Sequence, residues 1–267
     1  MRGSPKIGLA LGAGASRGLA HIGVLQVLEE HGIIPDLIAG SSIGAIVGAL
    51  YAAGITPKMM EGIAKNLDLK PYYDVGMPRL GFIKGERIEE LIRLLTKGMT
   101  FDQLKIPLSI TAVDLKSNQS VIINEGFVYK AVRASISIPG IFVPVFEGDQ
   151  VLVDGGLLER LPNRVVREMG ADIIIGVDVG FRGQHGDASN ILGIILQSFD
   201  VMSLALVTNS INGDEIYIYP NLADVNPLLF DRAEESIEEG RRATLEMIGE
   251  IEERIRLFKT GSSQDPD

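Results

Sequence analysis

The sequence predicts an α/β fold, on three observations. Short apolar runs alternate with segments of helical periodicity along the chain, and several of the 31 glycines sit where a run gives way to a helix. The runs at residues 151 to 153 and 172 to 179 are also largely apolar, the second between and around Asp172 and Asp178, as strands covered on both faces are. A chain of 267 residues with 46% hydrophobic content can bury one substantial core without needing a second full domain.

Residues 6 to 11 read as a short strand, followed by a glycine-rich stretch and a helix carrying Leu19, Ile22, Leu25 and Leu28 that closes at Gly32. Residues 35 to 39 give a second strand. A helix of small residues then opens at Ser42 and ends near Gly54, and Thr56 with Pro57 reads as the N-cap and first turn of the next helix. From 68 to 84 the periodicity fails. Tyr72, Tyr73, Met77, Leu80 and Phe82 are interleaved there with Gly and Pro, which suits a loop and makes the segment a candidate lid.

Ile88, Leu91, Ile92 and Leu95 recur at helical spacing before Gly98, and residues 106 to 115 and 119 to 124 read as two strands around a turn. Residues 128 to 136 read as a helix that Pro139 and Gly140 stop, and residues 162 to 169 as a helix between the two inner strands at 151 to 153 and 172 to 179. The apolar stretch 190 to 210, interrupted by Asp200, is expected to be a buried or capping helix, and 215 to 219 a late strand. The charged helix at 233 to 258 carries Ile237, Leu245, Ile248, Ile251 and Ile255 on one side, which is expected to pack on the outside of the sheet. Residues 5 to 259 are thus expected to form one catalytic domain, with 260 to 267 a disordered polar tail.

Lys and Arg number 25 against 35 Asp and Glu, a net charge of −10, so no field draws the chain to nucleic acid or to an anionic bilayer. Any peripheral membrane contact must be apolar and local. The absence of cysteine removes disulfides, thiolate metal sites and a cysteine nucleophile, and three histidines give no basis for a zinc cluster. No cofactor is expected. Residues 37 to 57 are uncharged and long enough to span a bilayer, but Gly40, Ser41 and Ser42 in their middle favour a strand, turn and helix. Gly12 breaks the first apolar run too early for a secretory leader, and a cytoplasmic location is expected.

The strongest chemical motif is Gly40-Ser41-Ser42-Ile43-Gly44, a G-x-S-x-G between a strand and a helix. That setting is what a nucleophile elbow requires, and at a helix N-terminus the free N–H groups favour developing negative charge on Ser42. Ser42 as a simple helix cap remains the alternative. Gly12-Ala13-Gly14-Ala15-Ser16-Arg17-Gly18 also follows a strand and precedes a helix, so its N–H groups are a candidate oxyanion hole. A dinucleotide fingerprint is the competing reading, but Gly18 falls one place late and no acidic residue closes the second strand.

A serine needs a base, and Asp154 in Val153-Asp154-Gly155-Gly156 follows an apolar strand and faces space cleared by two glycines. Apolar flanks raise a carboxylate's proton affinity, although a turn-forming Asp-Gly is the plain alternative. His21 and His31 read as a packed and a helix-terminal histidine. His185 follows Asp154 in a glycine-flanked loop, so Ser42, Asp154 and His185 have the chain order of an α/β-hydrolase triad; only two strands precede Ser42, fewer than that fold has before its elbow.

Residues 12 to 18, 40 to 44 and 154 to 156 stand in the order found in patatin-like phospholipases, and the chain resembles that family from about residue 6 to 180. The likeness extends through Arg133-Ala134-Ser135-Ile136-Ser137-Ile138-Pro139-Gly140-Ile141-Phe142 and Met169-Gly170-Ala171-Asp172, and is closest to bacterial members related to the esterase domain of neuropathy target esterase. The resemblance implies a three-layer α/β/α fold with a mostly parallel central sheet. It further implies a Ser42–Asp154 dyad without histidine, an oxyanion loop at Gly12, Ala13 and Gly14 with Arg17 beside it, and Gly40, Gly44, Gly155 and Gly156 in support. Its substrates would be acyl esters of phospholipids or lysophospholipids. A lipid acyltransferase or a non-catalytic lipid-binding protein would share these features. Ala13 and Ala15 stand where the family often has glycine, so a positive φ at either would strain the loop. Glu159 and Arg160 stand where many relatives carry an asparagine. Substrate preference is expected to be set beyond residue 180 and in residues 68 to 84.

Overall fold

The strand β1 (Ile7–Leu11) is buried along its whole length, and a 3-10 turn at Ala15–Leu19 leads from it into α1 (Ala20–Glu30). These elements belong to a computed structural model that describes residues 4–68, 70–76, 80–180, 191–210, 214–226 and 229–261. β2 (Leu37–Ser41) and α2 (Ile43–Ala52) follow, and α3 (Pro57–Asn66) starts as expected, with the Thr56 hydroxyl accepting from the Met59 N–H at 3.3 Å. The stretch 37 to 57 is therefore strand, turn and helix, and among the described residues no helix is long and apolar enough to cross a membrane. Within residues 68 to 84, a 3-10 turn at Lys70–Tyr72 precedes β3 (Gly81–Ile83), while Met77 lies outside the described residues.

Next come α4 (Glu86–Leu95), the pair β4 (Leu108–Asp114) and β5 (Gln119–Ile123), and α5 (Val128–Ser135). Two three-residue strands, β6 (Gly140–Phe142) and β7 (Val145–Glu147), are too short to show a sequence period and were not expected. β8 (Gln150–Asp154), α6 (Asn163–Glu168), β9 (Ile173–Val177), α7 (Ile191–Ser210), β10 (Ile216–Ile218) and α8 (Ala233–Thr260) complete the chain. α8 takes in Thr260 and ends on Gly261, whose φ of 71° is left-handed; residues 262 to 267, the rest of the expected tail, lie outside the described residues.

Strand pairing runs β10-β9-β1-β2-β4-β8-β7, with β5 also on β4, and a separate small sheet joins β3 to β6 in parallel. From β10 to β4 every pair is parallel, and the pairs β4–β5, β4–β8 and β8–β7 are antiparallel. Alternation along the strands makes the layers. Leu9, Leu11, Ile38, Ile110 and Ile175 face the larger core with α1 and α2, while Ala10, Ala39 and Ile174 face α6 through Val165 and Val166. The small alanines on that second face let α6 lie close to the sheet.

α8 departs from its expected place. It packs chiefly on α1, touching the sheet at β10, because two glycines let the helix backbones meet. A Cβ on Gly23 would collide with the Ile237 carbonyl, and one on Gly240 with the Ala20 carbonyl. The helix consequently sits outside α1, and Leu245, expected on its buried side, is 49% exposed.

Candidate active site

The register of β4 brings two distant residues together. β5 occupies one edge of β4 from Ile110 to Asp114, so β2, paired through Thr111, and β8, paired from Ala112, must share the other edge. β2 runs parallel to β4 and β8 antiparallel, so their carboxyl ends meet head to head. Ser41 is the partner of Thr111 and Asp154 the partner of Ala112, which places Ser42, one residue past Ser41, against Asp154. An antiparallel β8 was not anticipated, and it is what assembles the pair.

Ser42 sits at the β2–α2 junction with φ 53° and ψ −121°. That conformation is unfavourable for a residue with a side chain, by about 1–3 kcal/mol, and it lifts the hydroxyl out of the sheet. The Ser135 hydroxyl accepts the Ser42 N–H at 2.9 Å and so supports the turn. The flanking glycines are required by contact: a Cβ on Gly44 would run into the Leu11 and Gly12 carbonyls, and one on Gly40 would lie 2.6 Å from the Gly44 carbonyl.

The Ser42 hydroxyl donates to Asp154 Oδ2 at 2.6 Å. The other carboxylate oxygen accepts the Gly156 N–H at 2.7 Å, and the Asp154 N–H is tied to the Ser137 carbonyl at 3.0 Å. Asp154 is buried, and burial pushes its carboxyl from 3.8 up to about 7, against the opposing pull of the Ser42 and Gly156 hydrogen bonds. Loss of hydration costs the ionised form more than two hydrogen bonds return. The result is a carboxylate whose proton affinity is matched to neutral pH.

In the glycine loop the donors divide differently from expectation. The Gly12 N–H is committed to the Val177 carbonyl at 3.0 Å and the Ala13 N–H to the Arg160 carbonyl at 2.8 Å. Those bonds hold the loop in place, and Gly14 and Ala15 line the cleft together with Ser42 and Asp154. The strain anticipated for an alanine here falls on Ala15, whose φ is 50°. Arg17 lines the same cleft, with its guanidinium on the Val225 carbonyl at 3.1 Å and on Asp200 of α7 at 3.0 Å. Arg160, which stands where an asparagine was expected, forms a fully buried ion pair with Asp178 at 3.3 Å.

Ser42 also marks the meeting of the cleft with an apolar cavity of about 620 Å³. Its walls come from α2, α3, α4, from Tyr72, Tyr73 and Val75 and from Phe82 of β3, with Leu196 of α7 and Phe230. Of these, Val75 and Phe82 are exposed, as is Leu80, which precedes β3. Sequence reasoning placed the determinants of substrate fit in the loop and beyond residue 180, yet much of the wall is helix between residues 43 and 95. Ser135, Ser137 and Arg160 were likewise given no role, although all but Arg160 lie in the matched stretch 133 to 142.

His21 is buried as expected, with Nε2 on the Gly12 carbonyl at 2.8 Å, and burial depresses it to about 4 although that bond opposes the shift. His31 caps α1 and meets Glu252 at 2.9 Å. His185 lies outside the described residues. Among the described residues, no group of three His, Cys, Asp or Glu side chains could hold a metal.

Residues 9–166 match the family model described as patatin-like phospholipase. An uncharacterized NTE family protein of Mycobacterium tuberculosis is 38% identical over 179 residues, 66% of this chain and 49% of that protein. Lysophospholipase NTE1 of Debaryomyces hansenii is 34% identical over 180 residues, 65% of this chain and 12% of that protein. Patatin-like phospholipase domain-containing protein 6 of Homo sapiens is 34% identical over 182 residues, again 65% of this chain and 13% of that protein. The chain thus matches less than half the length of each of these relatives. The crystal structure of VipD from Legionella pneumophila superposes with a TM-score of 0.66 at 12% identity, over 92% of this chain and 67% of that one, which bears on the fold alone.

Proposed function

The chain belongs to the patatin-like phospholipase family, and from that premise we propose that it hydrolyses acyl esters of phospholipids or lysophospholipids through an acyl-enzyme on Ser42. The observation that carries this reading is the 2.6 Å bond from the Ser42 hydroxyl to Asp154, set where the cleft that holds Arg17 and Asp200 meets the apolar cavity. Asp154 takes the proton as Ser42 Oγ attacks the ester carbonyl, and the new oxyanion accepts from the Gly14 and Ala15 N–H groups. Negative charge moves from Asp154 to the substrate oxygen, so the site creates no net charge. The proton then passes to the leaving alkoxide, and water, activated by the same carboxylate, releases the fatty acid.

The direct serine–carboxylate bond favours a dyad over the triad, since an imidazole between the two groups would hold them apart. Under the dyad, His185→Ala keeps its ester hydrolysis within a few-fold, whereas a triad demands a loss of several orders of magnitude. Ser42→Ala should abolish cleavage of short p-nitrophenyl esters while the protein keeps its thermal transition. Turnover at the parent rate in that variant would remove Ser42 from the mechanism. Contact with the lipid surface is assigned to the exposed side chains Val75 and Phe82 on the cavity wall and to Leu80 two residues before Phe82, a local apolar contact that suits a net charge of −10.

A further inference from the structure

One wall of the cavity is a single face of the helix that begins at the nucleophile. Ile43, Ile46, Val47 and Leu50 all line it, at the spacing that puts side chains on one stripe of α2. Distance from Ser42 along this wall is therefore a count of residues. At 1.5 Å per residue Ile46 stands about 6 Å and Leu50 about 12 Å beyond Ser42. An extended acyl chain advances about 1.25 Å per carbon, so these positions fall beside roughly the fifth and tenth carbons. The lean of helical side chains toward the N-terminus brings each mark about one carbon nearer the serine.

The buried side chains of Met60 on α3 and Ile92 on α4 line the same cavity. The volume admits a long chain: a close-packed methylene takes about 27 Å³, so sixteen carbons need about 430 Å³, and a cavity of about 620 Å³ has room for them.

Resting on the reading of Ser42 as the acylated residue, we propose that α2 is a ruler for the acyl chain, with Ile46 and Leu50 as its specificity-determining marks. Each methylene that enters apolar surroundings adds up to about fourfold to kcat/KM until the chain meets an obstruction. Enlarging a mark should move that obstruction to the mark's own distance from Ser42.

The test compares the parent with Ile46→Phe and Leu50→Phe on 1-acyl-lysophosphatidylcholines and p-nitrophenyl esters of four to eighteen carbons. Each profile is normalised to the same variant's rate on the four-carbon ester, which cancels differences in active fraction. The parent profile should rise to long chains, Leu50→Phe should stop rising near eight to ten carbons, and Ile46→Phe near four to six. Unchanged profiles, identical cut-offs in the two variants, or a shorter cut-off in Leu50→Phe would overturn the ruler. Displacement of a fluorescent fatty acid by C8 and C16 fatty acids, measured on the same variants in a Ser42→Ala background, reads the cavity without turnover. If no ester is cleaved by the parent, the hydrolase reading fails while the displacement order still judges the ruler; if esters are cleaved and neither ladder appears, the ruler alone fails.

Discussion

Replacing Asp154 by Asn should make the protein more stable and nearly inactive, by an amount that depends on pH in a defined way. Burial raises the Asp154 carboxyl from 3.8 to about 7. A group whose folded-state value lies above its unfolded one supports folding fully below the unfolded value, and that support is lost as pH rises through the folded one. Roughly three pH units at about 1.4 kcal/mol each give an upper limit of about 4 kcal/mol, because the group is fully desolvated only in the closed fold. Asn has nearly the same shape as the protonated carboxyl and never ionises. The stability difference between Asp154→Asn and the parent, from urea titrations at successive pH values, should thus be near zero at pH 4 and grow toward that limit by pH 8. The same ionisation must precede proton removal from Ser42, so parental kcat/KM for a short ester should rise tenfold per pH unit up to about 7 and then level. A stability difference that does not vary with pH, or an acid limb at the ordinary carboxylate value near 4, would refute the reasoning.

His21 titrates with the opposite sign. Depressed from 6.5 to about 4, it lends stability that is present above 6.5 and is lost as pH falls through 4, about 3 kcal/mol in all, and His21→Gln should flatten that part of the acid-denaturation curve. Gly44→Ala forces a methyl group against the Leu11 and Gly12 carbonyls, and should lower the melting temperature and cut ester turnover by more than about tenfold; an active, stable variant would contradict the described elbow. Leu80→Ser combined with Phe82→Ser removes two side chains that are 55% and 42% exposed, and should weaken hydrolysis of vesicle phospholipid far more than that of a soluble ester. Equal losses on both substrates would dismiss the membrane role of this segment.

Much of the site was legible because its chemistry is local in the chain. Gly40 to Gly44 and the strand before them specify an elbow through steric need alone, and the apolar flanks of Asp154 foretold a carboxyl of raised proton affinity. What escaped depends on partners far away in sequence. Nothing local to residues 150 to 154 shows that β8 runs antiparallel on the edge of β4 that β2 leaves vacant, and that edge is what joins Asp154 to Ser42. Likewise, nothing local to Ala13 shows that its N–H is taken by the Arg160 carbonyl from 147 residues further on. The cavity wall was hidden for another reason. Ile43, Ile46, Val47 and Leu50 have the spacing of ordinary core residues, and only the way α3 and α4 stand off from them reveals empty space.

The central claim is that Ser42 carries the acyl group and Asp154 alone activates it. Its most direct test is to treat the parent, Ser42→Ala, Asp154→Asn and His185→Ala with a fluorophosphonate and map the adduct by peptide mass spectrometry, alongside fatty acid release from a lysophospholipid. The account predicts a single adduct on Ser42 in the parent and in His185→Ala with fatty acid release in both, no adduct in Ser42→Ala, and labelling slowed by orders of magnitude in Asp154→Asn. An adduct on another residue, or loss of labelling and release in His185→Ala while Asp154→Asn retains them, would contradict it.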